Sequence, residues 1–204
     1  MLFDDTYKTI ASHSEGTYRD KGSKFIAFAY PIKTDEEVKD ILQKLRSEHP
    51  KARHFCWALR ISPDRSVFRI QDDGEPSGTA GRPILNTILS ADLTNLLIVV
   101  VRYFGGTLLG VPGLINAYKT AAAEAIKESN IVKKTVNDIY EIHFDYLVMN
   151  DIMKLVKDEK LAILDQNFDN SCTMKLEIRK GSLNVILGKI EKVEGIQIKY
   201  LFTA

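Results

Sequence analysis

The last third of the chain has the most regular alternation of apolar and polar positions. Between residues 136 and 146, apolar side chains alternate with polar ones such as Glu141 and His143, which is typical of a half-buried strand. Beyond this point the apolar spacing indicates a helix, two strands, a helix and a strand, at residues 149–156, 162–168, 174–179, 183–190 and 196–202. The order β-α-β-β-α-β predicts a ferredoxin-like domain over residues 135–204, with one face of its sheet free for a partner.

The first two thirds of the chain carry a second series of patterns, which we assign to a domain over residues 1–132. The predicted strands lie at residues 15–19, 24–31, 55–61, 66–71 and 96–101, and helices are predicted after Thr34 and at residues 83–91 and 114–128. Thr34 and Glu37 have the spacing of a capping box at the start of the first helix. We interpret Lys133, Lys134 and Thr135 as a short polar link between two domains of a protein of the α+β class.

The composition is that of a soluble globular protein. Hydrophobic residues make up 45% and charged residues 27% of the 204 residues, and the net charge of +1 gives no overall attraction to nucleic acid. The longest aliphatic run, residues 96–101, is far shorter than the roughly 20 residues of a membrane helix. Two early acidic residues with no apolar stretch behind them argue against a signal peptide, so we expect a cytoplasmic protein. The two cysteines, Cys56 and Cys172, match no metal-ligand spacing, and we expect buried thiols.

The first segment with candidate chemistry is the stretch of residues 72–81, which we call the acidic loop. Its sequence is Asp-Asp-Gly-Glu-Pro-Ser-Gly-Thr-Ala-Gly, so three carboxylates fall within four residues, among glycines and hydroxyls. Like charges this close repel unless a cation or hydrogen-bond donors screen them. We therefore expect the loop to present carboxylates, hydroxyls and bare N–H groups to a ligand, through residues that include Asp72, Asp73, Gly74, Glu75, Ser77, Gly78 and Thr79. The alternative is a solvated turn that hydrogen-bonds to its own backbone.

The second segment, residues 102–113, runs from the end of the aliphatic strand into a helix, and we call it the glycine loop. Free N–H groups and the positive end of a helix dipole suit an anion at such a turn, although the loop matches neither a P-loop nor G-x-G-x-x-G. Arg102, Tyr103, Gly105 and Gly106 are the candidate binding residues. Arg102 either clamps a phosphate or carboxylate, or pairs with an acid of the other loop. We expect Tyr103 and Phe104 to be core residues.

A catalytic interpretation of the same residues is also open. His54, a neighbouring carboxylate and Ser77 or Thr79 are the residue types of a hydrolase. The sequence has no G-x-S-x-G elbow, however, and a proline precedes Ser77. Asp72, Asp73 and Glu75, with His54, would suit a hard cation such as Mg²⁺, but the cluster does not have the spacing of an EF-hand, so we predict no metal site, and the sequence leaves any cofactor unidentified.

Four stretches of the chain resemble the signature of the YigZ/IMPACT family. They are Lys-Gly-Ser-Lys-Phe-Ile-Ala at 21–27, Ala-Arg-His at 52–54, the acidic loop with Pro-Ile-Leu at 83–85, and Val-Val-Arg-Tyr-Phe-Gly-Gly at 100–106 with the glycines that follow. The resemblance implies an N-terminal α/β sandwich like domain two of a small-subunit ribosomal protein. It also implies a C-terminal domain like one near the end of the translocation elongation factor, and eukaryotic relatives are linked to translational control.

Three hypotheses follow from these observations. In the first, the protein is a translation-associated factor whose two loops converge into a polar cleft that binds RNA, the ribosome or a translation-associated protein. In the second, His54 and the acidic loop form the site of a hydrolase or phosphoryl-processing enzyme. In the third, the two loops only lock each other, so that Arg102 serves stability, and partners bind elsewhere.

Overall fold

The computed structural model describes residues 5–169 and 171–204, which divide into two compact units. The larger unit comprises residues 8–134, and the smaller unit comprises residues 5–7 with 135–204. The protein is of the mixed α/β type with several sheets. No helix in the described residues is long and apolar enough to span a membrane.

A five-stranded sheet forms the centre of the larger unit. Its strands are β2 (Ser14–Asp20), β3 (Ser23–Pro31), β4 (His54–Ile61), β5 (Val67–Gln71) and β6 (Leu96–Tyr103). The spatial order is β2-β3-β6-β4-β5, and every neighbouring pair is antiparallel. The helices are α1 (Glu37–Glu48), α2 (Gly81–Ser90) and α3 (Gly110–Lys127).

Strand β6 is buried on both faces because helices cover both sides of the sheet. Its even-numbered residues, such as Val100, join the core that contains α2 and α3, whereas odd-numbered residues, such as Val101, join the core that contains Val38 and Leu45 of α1. This two-sided burial explains why residues 96–101 are aliphatic without alternation, as predicted. It also fixes the face of each side chain at the end of the sheet.

The smaller unit contains a four-stranded antiparallel sheet. Its elements are β8 (Asn137–Phe144), α4 (Met149–Asp158), β9 (Ala162–Phe168), β10 (Cys172–Arg179), α5 (Leu183–Ile190) and β11 (Gln197–Thr203), with the spatial order β11-β8-β10-β9. The predicted succession β-α-β-β-α-β is therefore confirmed. Apolar residues of both helices and of the alternate positions of β8 and β10 form its core.

Several local predictions were wrong. The predicted polar link is strand β7 (Ile131–Thr135), which pairs with an unpredicted strand β1 (Thr6–Ile10) in a separate two-stranded sheet. Strand β7 is held by backbone hydrogen bonds to β1, and its two lysine side chains lie at the surface. The strand therefore forms without an apolar face. The capping box predicted from Thr34 and Glu37 is half formed: the Glu37 carboxylate accepts hydrogen bonds from the N–H groups of Lys33 and Thr34, but helix α1 begins only at Glu37. Helix α3 begins four residues earlier than predicted, at Gly110.

Candidate functional site

The two loops meet at one end of the five-stranded sheet. Residue Arg102, near the end of β6, has Phe25 of β3 and His54 of β4 as its cross-strand partners. The acidic loop follows β5 and leads into α2, and the glycine loop follows β6 and leads into α3. Since β4 begins at the end of the sheet where β5 and β6 finish, the start of β4 and both loops lie together.

Asp72 closes the acidic loop onto the start of α2. Its Oδ1 accepts hydrogen bonds from the N–H groups of Ala80 (3.1 Å) and Gly81 (2.8 Å), and its Oδ2 accepts one from Gly78 (2.8 Å). These donors include N–H groups at the helix start that have no partner within the helix. The carboxylate therefore acts as a remote helix cap, and the loop bends because Asp73, Gly74 and Gly78 adopt positive φ.

Asp73 connects the acidic loop to the start of β4, where His54 lies. The Asp73 carboxylate accepts from the N–H of Phe55 (2.7 Å) and forms an ion pair with Arg46 of α1 (3.1 Å). The backbone carbonyl of Asp73 lies 2.9 Å from Nδ1 of His54. Because a carbonyl only accepts, Nδ1 must carry the proton, and Nε2 of a neutral ring then has a free lone pair. Within the described residues, Nε2 of His54 has no hydrogen-bond partner.

Glu75 turns inward and joins the two loops. Its Oε1 lies 2.5 Å from Nη1 of Arg102 and accepts a hydrogen bond from the Tyr118 hydroxyl at 2.7 Å. The side chains of Glu75 and Arg102 are only 4% and 6% exposed. The expectation that the acidic loop presents all three carboxylates to a ligand is therefore wrong for Glu75. Of the two roles considered for Arg102, pairing with an acid of the other loop is the one observed.

Two protonated groups complete this buried network. Sγ of Cys56 lies 3.3 Å from the hydroxyl of Tyr118, and it also lies 2.9 Å from the carbonyl oxygen of Asp72. Burial raises the pKa of the Cys56 thiol and that of the Tyr118 hydroxyl well above their ordinary values, and the charge of Glu75 adds to both shifts. A thiol held protonated in this way is a poor nucleophile. Tyr118 was not among the predicted site residues, because its place on the buried face of α3 is typical of a core residue.

The glycine loop depends on a backbone contact that excludes side chains. A Cβ on Gly105 would lie 2.0 Å from the carbonyl carbon of Gly22 in the β2–β3 turn, and the N–H of Gly105 donates to the hydroxyl of Ser23 (3.2 Å). Gly106 and Gly110 adopt positive φ, and a Cβ on Gly106 would meet nothing within 4 Å. Backbone of Gly105 and Gly106 is thus exposed at the surface of the site.

The part of the site that faces solvent is more apolar than predicted. Phe104 is 54% exposed and Leu108 is 82% exposed, so the prediction that Phe104 belongs to the core is wrong. The Arg102 guanidinium carbon lies 5.6 Å from the centre of the Phe104 ring and 5.5 Å from that of Phe25. Tyr103 is half-buried, and its hydroxyl lies 2.8 Å from Nδ1 of His49.

The two hydroxyl residues of the acidic loop have different surroundings. Ser77 is exposed and forms no hydrogen bond with His54 or another described residue. Thr79 is buried, and its hydroxyl donates to the carbonyl of Pro76. Within the described ranges there is no group of three His, Cys, Asp or Glu side chains arranged to hold a metal ion.

Both loops fall inside a region that matches a known protein family. A model described as the Impact N-terminal domain matches residues 21–126, which is more than half of the chain. The chain belongs to the IMPACT family. An IMPACT family member of Haemophilus influenzae is 32% identical over 178 residues, covering 86% of each chain, and the IMPACT family member YigZ of Escherichia coli is 35% identical over 138 residues, covering 67% of this chain and 68% of YigZ.

A solved structure supports the fold of this IMPACT family member. A crystal structure described as that of a hypothetical protein is 27% identical to this chain, with a TM-score of 0.75, and the similarity covers 97% of this chain and 98% of the other. The match with YigZ confirms the family expected from the four signature stretches.

Proposed function

We propose that this IMPACT family member is a cytoplasmic, translation-associated regulatory factor, and that the surface where its two loops meet binds RNA. Membership of the IMPACT family, whose eukaryotic members the sequence resemblance links to translational control, supports the first part. The observation that carries the second part is the exposed Phe104 ring, held over the buried Arg102–Glu75 pair beside exposed glycine backbone. Aromatic rings on which bases stack are the common element of single-strand recognition.

The contacts of Glu75 with Arg102 and Tyr118, which we call the lock between the loops, have a role in this proposal. Each acid of the acidic loop is engaged by protein donors, so the negative charges that would repel a phosphate backbone are neutralised or drawn inward. The surface left for RNA consists of the Phe104 ring, the exposed backbone of Gly106, and the exposed Ser77 and Gly78. This arrangement joins the first and third hypotheses, because the lock builds the binding surface.

The resemblances of the two units fit the same proposal. We interpret the larger unit as similar to domain two of a small-subunit ribosomal protein, and the smaller unit as ferredoxin-like. The open face of the smaller sheet carries the exposed Phe202, but its charges are balanced, with Lys175 paired to Asp165 and His143 beside Glu141. We therefore place RNA binding in the larger unit.

The proposal is tested by fluorescence anisotropy with a labelled single-stranded RNA. Stacking contributes about 1–3 kcal/mol per base, so Phe104→Ala should weaken binding by roughly 5- to 150-fold. The matched control is Phe68→Ala, because Phe68 is also 54% exposed in the same unit but lies at the other end of β5. Equal affinities of wild type and Phe104→Ala, or no binding of RNA and no co-sedimentation with ribosomes at low salt, would overturn the proposal.

A second candidate function, hydrolysis or phosphoryl processing, is favoured by His54 alone. Its Nδ1 is anchored on a carbonyl, which leaves Nε2 oriented as a proton acceptor, the geometry of a general base. The test is a screen of esters, phosphoesters and peptides with wild type and His54→Gln. An activity that His54→Gln abolishes, with unchanged thermal stability, supports this function, and an activity that survives the substitution excludes His54 as its base.

A further inference from the structure

A row of basic residues crosses the end of the five-stranded sheet beside the glycine loop. In the strand register, Arg19 of β2 is opposite Lys24 of β3, and Lys24 is opposite Tyr103 of β6. Arg53 directly precedes His54, the partner of Arg102, so it continues the row at the level of Tyr103. We call Arg19, Lys24 and Arg53 the basic row. It spans three strand spacings, or about 14 Å.

The alternation of side chains places this row on the α1 side of the sheet. Tyr18 and Phe25 pack into the core that contains α2 and α3, so Arg19 and Lys24, which adjoin them in sequence, point to the opposite face. Tyr103 joins the core on the α1 side and bonds to His49 at the end of α1. Phe104 follows Tyr103 in the chain, but its ring lies over Arg102, which faces α2 and α3 together with Phe25, so the aromatic ring and the basic row lie on the two sides of the same end of the sheet.

The positive charge of the row is not neutralised by the protein. In the part of the chain that the structure describes, Arg19, Lys24 and Arg53 form no ion pair, and Arg19 and Arg53 are exposed. The nearest acids of the two loops are already paired, Asp73 with Arg46 and Glu75 with Arg102. Asp20 alternates onto the other face of β2. A local excess of positive charge therefore exists in a chain whose net charge is only +1.

We propose that the basic row binds the phosphate groups of single-stranded RNA whose bases stack on Phe104, an inference that rests on the RNA-binding function proposed above. Stacking platforms beside a cationic track are the usual arrangement for single strands, because the track follows the backbone while the rings take the bases. The row thus assigns a path to the bound strand, across β4, β6, β3 and β2, and the strand reaches Phe104 by passing over the end of β6. The Glu75–Arg102 pair beneath Phe104 holds the ring at this end of the sheet.

Salt dependence of binding tests the row. A phosphate contact to single-stranded RNA contributes about 0.7 to the slope of the logarithm of affinity against the logarithm of salt concentration. The triple variant Arg19→Gln, Lys24→Gln, Arg53→Gln should lower this slope by about 2, and should weaken binding roughly 100-fold at 0.1 M salt. Restoring charge with Arg19→Lys and Arg53→Lys in place of the glutamines should return most of the slope.

The control variant removes the same charge from the opposite end of the sheet. Lys8, Lys33 and Lys39 are exposed and form no ion pair with any residue in the described ranges, so their triple substitution by glutamine should leave the slope nearly unchanged. If the basic-row variant binds RNA with the salt slope of wild type while Phe104→Ala still weakens binding, the basic row does not bind the phosphates. The proposed function then still stands. If wild type binds no RNA, the proposed function itself fails. Thermal unfolding verifies that both triple variants are folded.

Discussion

Glu75 and Arg102 form a buried ion pair, 2.5 Å long, between two loops that are 27 residues apart in sequence. The pair is completed by the Tyr118 hydroxyl from α3, so three segments of the larger unit meet at one carboxylate oxygen. A buried pair of this kind contributes little net energy over an apolar replacement, but losing one partner leaves a buried charge uncompensated. Its value in this protein is that it fixes the position of both loops.

The first prediction concerns the removal of Arg102. Arg102→Ala should lower the free energy of unfolding by about 3–5 kcal/mol, because the Glu75 carboxylate stays buried without its cation. Urea unfolding of the full chain measures this loss. Arg53→Ala is the matched control, since Arg53 is exposed and should change stability by less than about 0.5 kcal/mol. Equal stability of Arg102→Ala and wild type would show that the pair does not hold the loops.

The second prediction concerns the remote cap of α2. Asp72→Ala removes the acceptor of three backbone N–H groups and should destabilise the protein by about 2–3 kcal/mol. Asp72→Asn keeps one oxygen as an acceptor and should cost less. Ser77→Ala in the same loop has no hydrogen bond to lose and should leave the midpoint of unfolding unchanged. A larger effect for Ser77→Ala than for Asp72→Ala would contradict this assignment of the cap.

The third prediction concerns the backbone contact of the glycine loop. Gly105→Ala would place a methyl group against the backbone of Gly22, and should destabilise the protein by about 3 kcal/mol or more because backbone must move. Gly188→Ala, in α5, meets nothing within 4 Å and should stabilise the smaller unit by about 1 kcal/mol. Thermal unfolding, followed separately for each unit, compares these two variants. Unchanged stability of Gly105→Ala would disprove the close packing of the glycine loop against the β2–β3 turn.

The fourth prediction concerns alkaline pH. In the unfolded chain, Cys56 and Tyr118 ionise near pH 8.5 and 10, whereas burial raises the pKa of both groups in the folded protein. Above pH 8.5 the folded state therefore retains protons that the unfolded state has lost, so the free energy of unfolding falls as the pH rises. Each group adds a slope approaching 1.4 kcal/mol per pH unit. Below about pH 7 neither group contributes to the slope.

The variant Cys56→Ala isolates the contribution of the thiol. Between pH 9 and 10.5, its free energy of unfolding should fall less steeply than that of wild type, whatever the absolute loss from the missing side chain. Replacing Tyr146 by Phe is the control for general alkaline effects, because this side chain is exposed and lies outside the buried network. Identical slopes for Cys56→Ala and wild type would mean that the thiol ionises as easily in the folded protein.

The sequence predicted most strands and helices because their apolar periods reflect the faces they bury. Residues 96–101 and residues 183–190 show this directly, since two-sided burial gives a continuous run and one-sided burial gives a helical stripe. Strands β1 and β7 escaped prediction because they are short, and their pairing depends on two segments more than a hundred residues apart. Local pattern carries no information about that pairing.

The sequence predicted that the acidic loop and the glycine loop come together, but it did not predict how their side chains are oriented. Asp72, Asp73 and Glu75 were recognised as unusual, but carboxylates turned toward backbone donors and toward Arg102 look the same in a sequence as carboxylates turned toward a ligand. Tyr118 could not be found, because its partner Glu75 lies 43 residues away. Phe104 was assigned to the core because aromatic residues beside buried strands are usually buried.

Hydrogen exchange with and without single-stranded RNA tests the central claim most directly, because it reports on both loops in one measurement. We predict that RNA slows amide exchange together in residues 72–81 and 102–113, and at the β2–β3 turn, with no change at the opposite end of the sheet. Phe104→Ala should remove this protection. Protection confined to one loop, or found only in the smaller unit, would contradict the account.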